Sequence, residues 1–406
     1  MRFLVLGGGA QGSAAAFDLL RQDAVEEVVV ADLRPDALHP ALRPHLGRRL
    51  STLPADASSS DSIRRAMAEV SGVLCALPYH FNYEMARMAV EAGAHFTDLG
   101  GNTGIVTRQR ELDAVARQQG VSVAPDIGLA PGMINILAQA GIERFDEVQA
   151  VRLWVGGLPR NPRPPLNYQI VYALEGMFDY YVTPAEILRD GKRVRVEALS
   201  ELEIVEFGAP IGRLEAFHTG GGTSTMPARY EQRIRSFEYK TLRYPGHAQV
   251  MRAIRELGLL SDRDVDYNGA IVNPRKFFIQ QATPSLRNEH GDDFVVARVE
   301  VTGEKDGVRS RIRYEVVDHY DPETGITAMA RTTGFTLAIV ALMQARGEVV
   351  AGVGTPDEVI PSAPYILELA ERGIRARFER LPAVSPGNQP STAESKNTDS
   401  RQLRTH

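Results

Sequence analysis

The sequence predicts an α/β protein: a Rossmann-type, doubly wound parallel sheet followed by a second α+β domain built on a mostly antiparallel sheet. Three observations carry this. A strand-like run, Arg2-Phe-Leu-Val-Leu6, leads directly into Gly7-Gly-Gly9-Ala-Gln-Gly12 and a small-residue helix pattern, Ser13-Ala-Ala-Ala16. Strand and helix patterns then alternate to about residue 130, which implies parallel strands. After about residue 145 strand-like runs dominate (148–155, 203–207, 294–302 and 310–320), broken by turns such as Gly156-Gly-Leu-Pro-Arg-Asn-Pro-Arg-Pro-Pro165.

Each position of the first motif has a physical reason. Gly7 allows the tight turn, Gly9 lets the backbone approach a pyrophosphate, and Gly12 lets the helix pack closely on the strand. Phosphate then sits at the positive N-terminus of the helix, beside Ala10 and Gln11. A second β-run, Glu27-Val-Val-Val-Ala-Asp32, ends in an acid 20 residues after Gly12, the spacing of a ribose 2′-OH ligand. A carboxylate there accepts from both ribose hydroxyls and repels a 2′-phosphate, so Asp32 favours NAD; Arg34 leaves NADP open.

The pattern is less clear after Asp32, with a strand near Arg49 and a helix ending near Val70. Then come a buried strand (72–77), a helix (81–92) stopped by Gly93, a strand (94–99), a helix (109–119) stopped by Gly120, and a strand (121–124). Ligands bind off the carboxyl ends of such strands. Function is therefore sought in Pro78-Tyr-His80-Phe-Asn82, Asp98-Leu-Gly-Gly-Asn102 and Pro125-Asp-Ile-Gly-Leu-Ala-Pro-Gly132, with Leu77, Pro78 and Gly100 at the cofactor. The expected division is a dinucleotide domain (1–132), a substrate and oligomerisation domain (133–330), and a helical segment returning to the first domain (331–381). A tail rich in Ser, Pro, Asn, Gln and Thr (382–406) has too little apolar surface to offset its ordering entropy and is expected to be disordered.

A protein of 406 residues has the length to bury two cores, and a formal charge of −5 shows no basic excess, so nucleic acid is not expected as a partner. The single cysteine, Cys75, lies in an apolar run and reads as a core thiol. No cleavable leader precedes the first strand and no apolar run reaches the roughly 18 residues of a membrane span, so the expectation is a soluble, cytoplasmic protein. The histidines show no helical His-x-x-x-His pair and no carboxylate cluster at ligand spacing, so no metal is expected.

The sequence resembles the saccharopine dehydrogenase-like oxidoreductases, most closely the lysine 6-dehydrogenase branch. The resemblance runs to about residue 380. It rests on the glycine fingerprint, Ala76-Leu-Pro-Tyr-His-Phe-Asn82, Asp98-Leu-Gly-Gly-Asn-Thr103 and Gly128-Leu-Ala-Pro-Gly-Met133. In the second half it rests on Phe217-His-Thr-Gly-Gly-Gly222, Lys240-Thr-Leu-Arg-Tyr-Pro-Gly-His247 and Arg331-Thr-Thr-Gly-Phe335. It implies nicotinamide-dependent oxidation at a carbon bearing an amine in an amino acid; for the lysine branch the products are 2-aminoadipate 6-semialdehyde and ammonia. A homo-oligomer is implied as well. One departure stands out. The saccharopine reductase motif reads like Asp-Pro-Gly-Ile-Asp-His, whereas this protein has Ala130-Pro-Gly-Met-Ile-Asn135, with Ile134 in place of the second acid.

Such chemistry needs a proton acceptor, since a lysine-like amine has a pKa of about 10.4. By position His80 is the candidate base, or else a loop histidine shaping the cofactor pocket. Asp98 is placed to hold the substrate amine or to cap the Gly100-Gly101 turn. Asn102 positions cofactor or substrate, or holds a turn. In the second domain Arg243 is the natural carboxylate partner, with Lys240, His218 and His247 as further substrate-binding candidates near Tyr244. The alternatives are a reductase that joins an aldehyde and an amine (saccharopine or carboxyspermidine type), which requires a pocket for two carboxylates and is favoured by a second cation facing Arg243, and a non-catalytic NAD-binding protein.

Overall fold

The computed structural model describes residues 1–288 and 291–382. The expected tail, residue 382 apart, lies outside the described residues. Six strands, β1 (Arg2–Leu6), β2 (Glu27–Asp32), β3 (Leu50–Pro54), β4 (Gly72–Cys75), β5 (His95–Asp98) and β6 (Ser122–Ala124), form a sheet in the order β6-β5-β4-β1-β2-β3, every pair parallel. Alternation along β1 explains why the sheet is covered on both sides. Phe3 and Val5 enter one apolar core while Leu4 and Leu6 enter another, and all four are buried. The strand order reverses between β1 and β4, so a crevice opens beyond their carboxyl ends.

The second sheet contains β7 (Glu147–Pro159), β8 (Ala185–Arg189), β9 (Lys192–Val196), β10 (Glu203–Glu206), β11 (Arg213–His218), β12 (Ser236–Arg243), β15 (Asp293–Lys305) and β16 (Val308–His319); β13 (Val265–Tyr267) and β14 (Ala270–Val272) form a separate hairpin. Its pairs are antiparallel except β12 with β7, in keeping with a mostly antiparallel sheet.

The backbone then returns to the first sheet, where β17 (Gly352–Val353) pairs in parallel with β6. The helix before it runs through Ala328–Ala330, a π turn at Arg331–Phe335, and Thr336–Ala345. Asp293 of the second sheet caps that helix, accepting from Ala328 N at 2.6 Å and Met329 N at 2.9 Å. Gly334 lets it lie against the Ala10–Leu20 helix; a Cβ there would come within 2.8 Å of Ala14 Cβ. Arg372 Nε donates to both carboxylate oxygens of buried Asp18 in the same helix, each at 2.8 Å. The last segment differs from expectation: β18 (Arg377–Leu381) pairs with β16 of the second sheet rather than with the first domain. The alternation there decides it, with Phe378 against the Tyr314 ring and Glu379 by Arg313. No helix among the described residues is long and apolar enough to cross a membrane.

Candidate active site

The glycine turn is tight where the fold needs it and open where a ligand would come. Gly7 has φ +94°, and a Cβ on it would meet the Ala76 carbonyl oxygen at 2.9 Å. A Cβ on Gly12 would overlap the Gly7 carbonyl oxygen. Gly9, by contrast, has nothing within 4 Å of that position, and it caps the Ala10–Leu20 helix, whose first residue is exposed. An anion therefore has both room and the positive end of a helix. Asp32 is oriented by two backbone donors, Gly8 N at 2.7 Å and Arg34 N at 2.8 Å, while the Arg34 residue itself is exposed. These residues fit a dinucleotide.

A cavity of about 300 Å³ continues from this turn between the two domains. Gln11, Leu77, Pro78 and Tyr79 form one side with Gly100, Gly101 and residues 128–131; Tyr172, Tyr180, Tyr239, Thr241 and Arg243 form the other, and Met329 and Thr333 of the π-turn helix complete the wall. The β12 contribution follows from strand geometry. Tyr239, Thr241 and Arg243 alternate onto the cavity face, so Lys240 points away.

Arg243 is 2 % exposed. Its Nε donates to Tyr181 Oη at 3.1 Å, its Nη1 to Leu242 O at 2.8 Å and its Nη2 to Tyr172 Oη at 3.5 Å, and it lies 5.1 Å from the Tyr168 ring centroid. Its neighbours are phenols; among the described residues no carboxylate oxygen comes within 4 Å of it. Holding a buried guanidinium without a counter-ion is costly. A ligand carboxylate would offset that cost.

Several candidates fall away from this cavity. Lys240 Nζ donates to Glu201 O at 2.7 Å and lies 3.3 Å from Glu203, on the far face of the sheet. His218 is buried between Tyr239 O at 3.0 Å and Glu201 at 3.1 Å. It pairs across from Lys240 in the β11–β12 register and so shares that far face. The triple glycine after it does not admit substrate; it backs the tyrosine wall, since a Cβ on Gly221 would stand 2.5 Å from Tyr180 Cε1 and one on Gly222 would overlap the Tyr239 ring. His80 is exposed on a short 3-10 turn, its ring 4.2 Å from Phe81, and Pro78 and Tyr79 take its place in the wall. Asn102 caps the Thr103–Gln109 helix, accepting from Ile105 N at 3.1 Å. His247 is buried behind Arg243 and does not line the cavity. Ile134 is buried in the core, so no polar group was needed there, whereas Ala130 of the same segment does line the cavity.

Asp98 holds the floor rather than a substrate. It accepts from Gly100 N at 2.7 Å, Asp126 N at 3.3 Å and Gln109 Nε2 at 2.7 Å, and burial pushes its pKa up to about 6. Its neighbour Asp126, inside a strand-end segment that the sequence marks but not itself singled out there, has φ +62° and accepts from Gly101 N at 3.2 Å. Burial, with the charges of Asp98 and Asp357 adding to it, raises Asp126 to about 7. An acid raised in the folded state stabilises below its unfolded value near 3.8, and that stability is lost as pH rises through about 7. Asp126→Asn keeps an acceptor for Gly101. Its stability relative to the parent is therefore expected to improve by on the order of 2 kcal/mol between pH 5 and pH 8, read from thermal unfolding. An equal difference at both pH values would contradict the assignment.

Metal-ligand spacing occurs among the described residues at Glu201, His218 and Glu238, whose ligand atoms lie within 4.8 Å of one another. They come from separate strands and loops, which is why no sequence motif showed them. Cations already engage both acids: Arg189 on Glu201 and Arg152 on Glu238.

The open glycine turn and the ordered Asp32 define a nicotinamide-dinucleotide-binding Rossmann protein. Comparison with known proteins gives the family. Residues 3–123 match the saccharopine dehydrogenase NADP binding domain and residues 128–374 the saccharopine dehydrogenase C-terminal domain. The chain belongs to the saccharopine dehydrogenase family and binds NAD(P). It is 23 % identical over 277 residues to saccharopine dehydrogenase [NADP(+), L-glutamate-forming] of Saccharomyces cerevisiae, covering 64 % of this chain and 58 % of that one. It is 23 % identical over 274 residues to the mitochondrial alpha-aminoadipic semialdehyde synthase of Bos taurus, covering 64 % of this chain but only 28 % of the bovine protein. The apo structure of the yeast saccharopine dehydrogenase (L-Glu forming) superposes with a TM-score of 0.77 at 18 % identity, covering 94 % of this chain and 99 % of that one. The homospermidine synthase of Legionella pneumophila in complex with NAD gives 0.67 at 9 %, covering 98 % and 95 %.

Proposed function

We propose that this protein is an NAD-dependent dehydrogenase that oxidises the carbon–nitrogen bond at the side-chain amine of an α-amino acid, with L-lysine as substrate. Hydride leaves the amine-bearing carbon, the resulting iminium takes up water, and 2-aminoadipate 6-semialdehyde and ammonia are released. Bound NAD supplies the hydride acceptor. The single observation that carries this reading is Arg243: a buried cation in the cavity wall that, among the described residues, has no carboxylate on it and is the lone Lys or Arg side chain of the lining. One fixed cation suits a substrate with one carboxylate. A condensing reductase has to hold two carboxylate-bearing halves, and the described wall offers it no second cation.

Asp179, also in the wall and paired with Arg275, supplies a negative charge for the substrate's ammonium. With His80 outside the wall, the amine loses its proton to water, and turnover rises toward alkaline pH as the neutral amine accumulates. Asp32 supports NAD over NADP, although the yeast relative is named for NADP. Exposed Tyr267 and Ile271 on the β13–β14 hairpin support self-association.

The test is NADH formation, followed by absorbance, from L-lysine and NAD at alkaline pH beside saccharopine, a diamine and NADP. Turnover on lysine with NAD is expected. Activity only on the secondary amine would move the protein to the condensing class, and cofactor binding without any turnover would make it non-catalytic.

A further inference from the structure

We infer that Tyr181 and His247 are positioning residues that set the Arg243 guanidinium for end-on, two-point capture of one carboxylate, with His247 acting as a neutral acceptor. This rests on the reading of the cavity as an amino-acid site. Arg243 Nε donates to Tyr181 Oη at 3.1 Å, Tyr181 Oη lies 2.9 Å from His247 Nε2, and His247 Nδ1 lies 2.9 Å from Leu166 O. The direction of this hydrogen-bond series follows from the carbonyl at one end and the neutral ring. A carbonyl only accepts, so the imidazole carries its proton on Nδ1, and a neutral imidazole then accepts from the phenol at Nε2 while the phenol oxygen accepts from the guanidinium. Tyr181 thereby turns a lone pair toward Arg243.

Burial holds that ring neutral, aided by the Arg243 charge; together they push its pKa down to about 3. The ring packs parallel to Phe217 (7°, 6.4 Å) and edge-on to Tyr168 at 5.6 Å. The carboxylate at the same helix start, Glu215, is taken up by Gly246 N at 2.9 Å and Ala248 N at 2.5 Å, not by the imidazole. With Nε on Tyr181, one Nη1 hydrogen on Leu242 O and one Nη2 hydrogen toward Tyr172, a single N–H remains on each terminal nitrogen. That pair matches the two oxygens of a carboxylate.

The test uses the protein–NADH complex and calorimetric binding of L-lysine against L-lysinamide, which lacks the carboxylate. The parent should prefer lysine. Tyr181→Phe and His247→Leu should each cut that preference about tenfold while lysinamide binding stays unchanged, the scale of one charge-assisted hydrogen bond. His247→Gln, whose amide oxygen can replace Nε2, should keep most of it. Nitrogen-15 NMR of the parent should show His247 neutral with hydrogen on Nδ1 from pH 8 to pH 5. A preference that survives Tyr181→Phe, or a ring protonated at pH 6, overturns the inference alone. A parent that binds lysine and lysinamide equally overturns the amino-acid reading and this one with it.

Discussion

Arg243→Ala is expected to lower kcat/KM for L-lysine with NAD by about a thousandfold, near 4 kcal/mol, the range seen when one partner of a desolvated charge pair is truncated. Cofactor binding should stay within about twofold, because Arg243 sits at the end of β12 and the glycine turn lies in the other domain. The ligand-free protein should not be destabilised in proportion. In the parent the guanidinium is buried among the hydroxyls of Tyr172 and Tyr181 and the ring of Tyr168 with no counter-ion among the described residues, so Arg243→Met should hold or raise the unfolding temperature. Arg243→Lys keeps the charge but loses the planar fork and the Nε bond to Tyr181, and a loss of about thirtyfold is expected. A diamine without a carboxylate should be indifferent to all three changes. Lysine turnover within tenfold of the parent in Arg243→Ala would remove Arg243 as the clamp.

What could be read from the sequence was local. The glycine turn, its helix and Asp32 lie within one βαβ unit, where spacing alone dictates which backbone atoms meet; the observed overlap of a Gly12 Cβ with Gly7 O is the same constraint seen in three dimensions. The second-domain wall was legible only in part. Arg243 was found because a carboxylate substrate needs a fixed cation. Lys240, three residues earlier, was grouped with it by proximity in sequence, although a strand sends positions of opposite parity to opposite faces. Recognising 236–243 as a strand would have separated Lys240 from Arg243 and brought Tyr239 and Thr241 forward. Tyr172 reaches the cavity through packing between elements far apart in sequence, for which no local signal exists. Tyr180 instead lies in the stretch Met177-Phe-Asp-Tyr-Tyr181, whose pattern suits a pocket wall, a core or a subunit interface alike. The structure sends Asp179 and Tyr180 to the cavity and buries Met177, Phe178 and Tyr181 in a core. Asp98 and Asp126 show a different limit. Both lie at or just past a strand end; capping the Gly100-Gly101 turn was one of two readings of Asp98, and the backbone donors decide for it and add Asp126 as a second support of the cavity floor.

Gly9→Ala and Gly12→Ala should separate the two jobs of the glycine turn. At Gly9 the backbone has φ −64°, which alanine adopts without strain, and nothing stands within 4 Å of the new methyl. The unliganded protein should therefore keep its stability to within about 1 kcal/mol, the scale of a changed helix cap. Its NAD affinity should fall by on the order of a hundredfold, because the methyl occupies the space through which a pyrophosphate approaches the helix N-terminus. At Gly12 the methyl meets the Gly7 carbonyl, and the strand and helix must move apart to admit it. That should cost about 3 kcal/mol of stability as well as the cofactor. Thermal unfolding with and without NAD reads both effects at once. A ligand at a hundred times its Kd stabilises by about 2.7 kcal/mol, so the parent shows a clear upward shift. Gly9→Ala should lose the shift but not the unliganded midpoint, and Gly12→Ala should lose both. If Gly9→Ala retained the full shift, the open space above Gly9 would not be the pyrophosphate's place. The path from the helix N-terminus into the Arg243 cavity would then have to be drawn from the Leu77-Pro78 side alone.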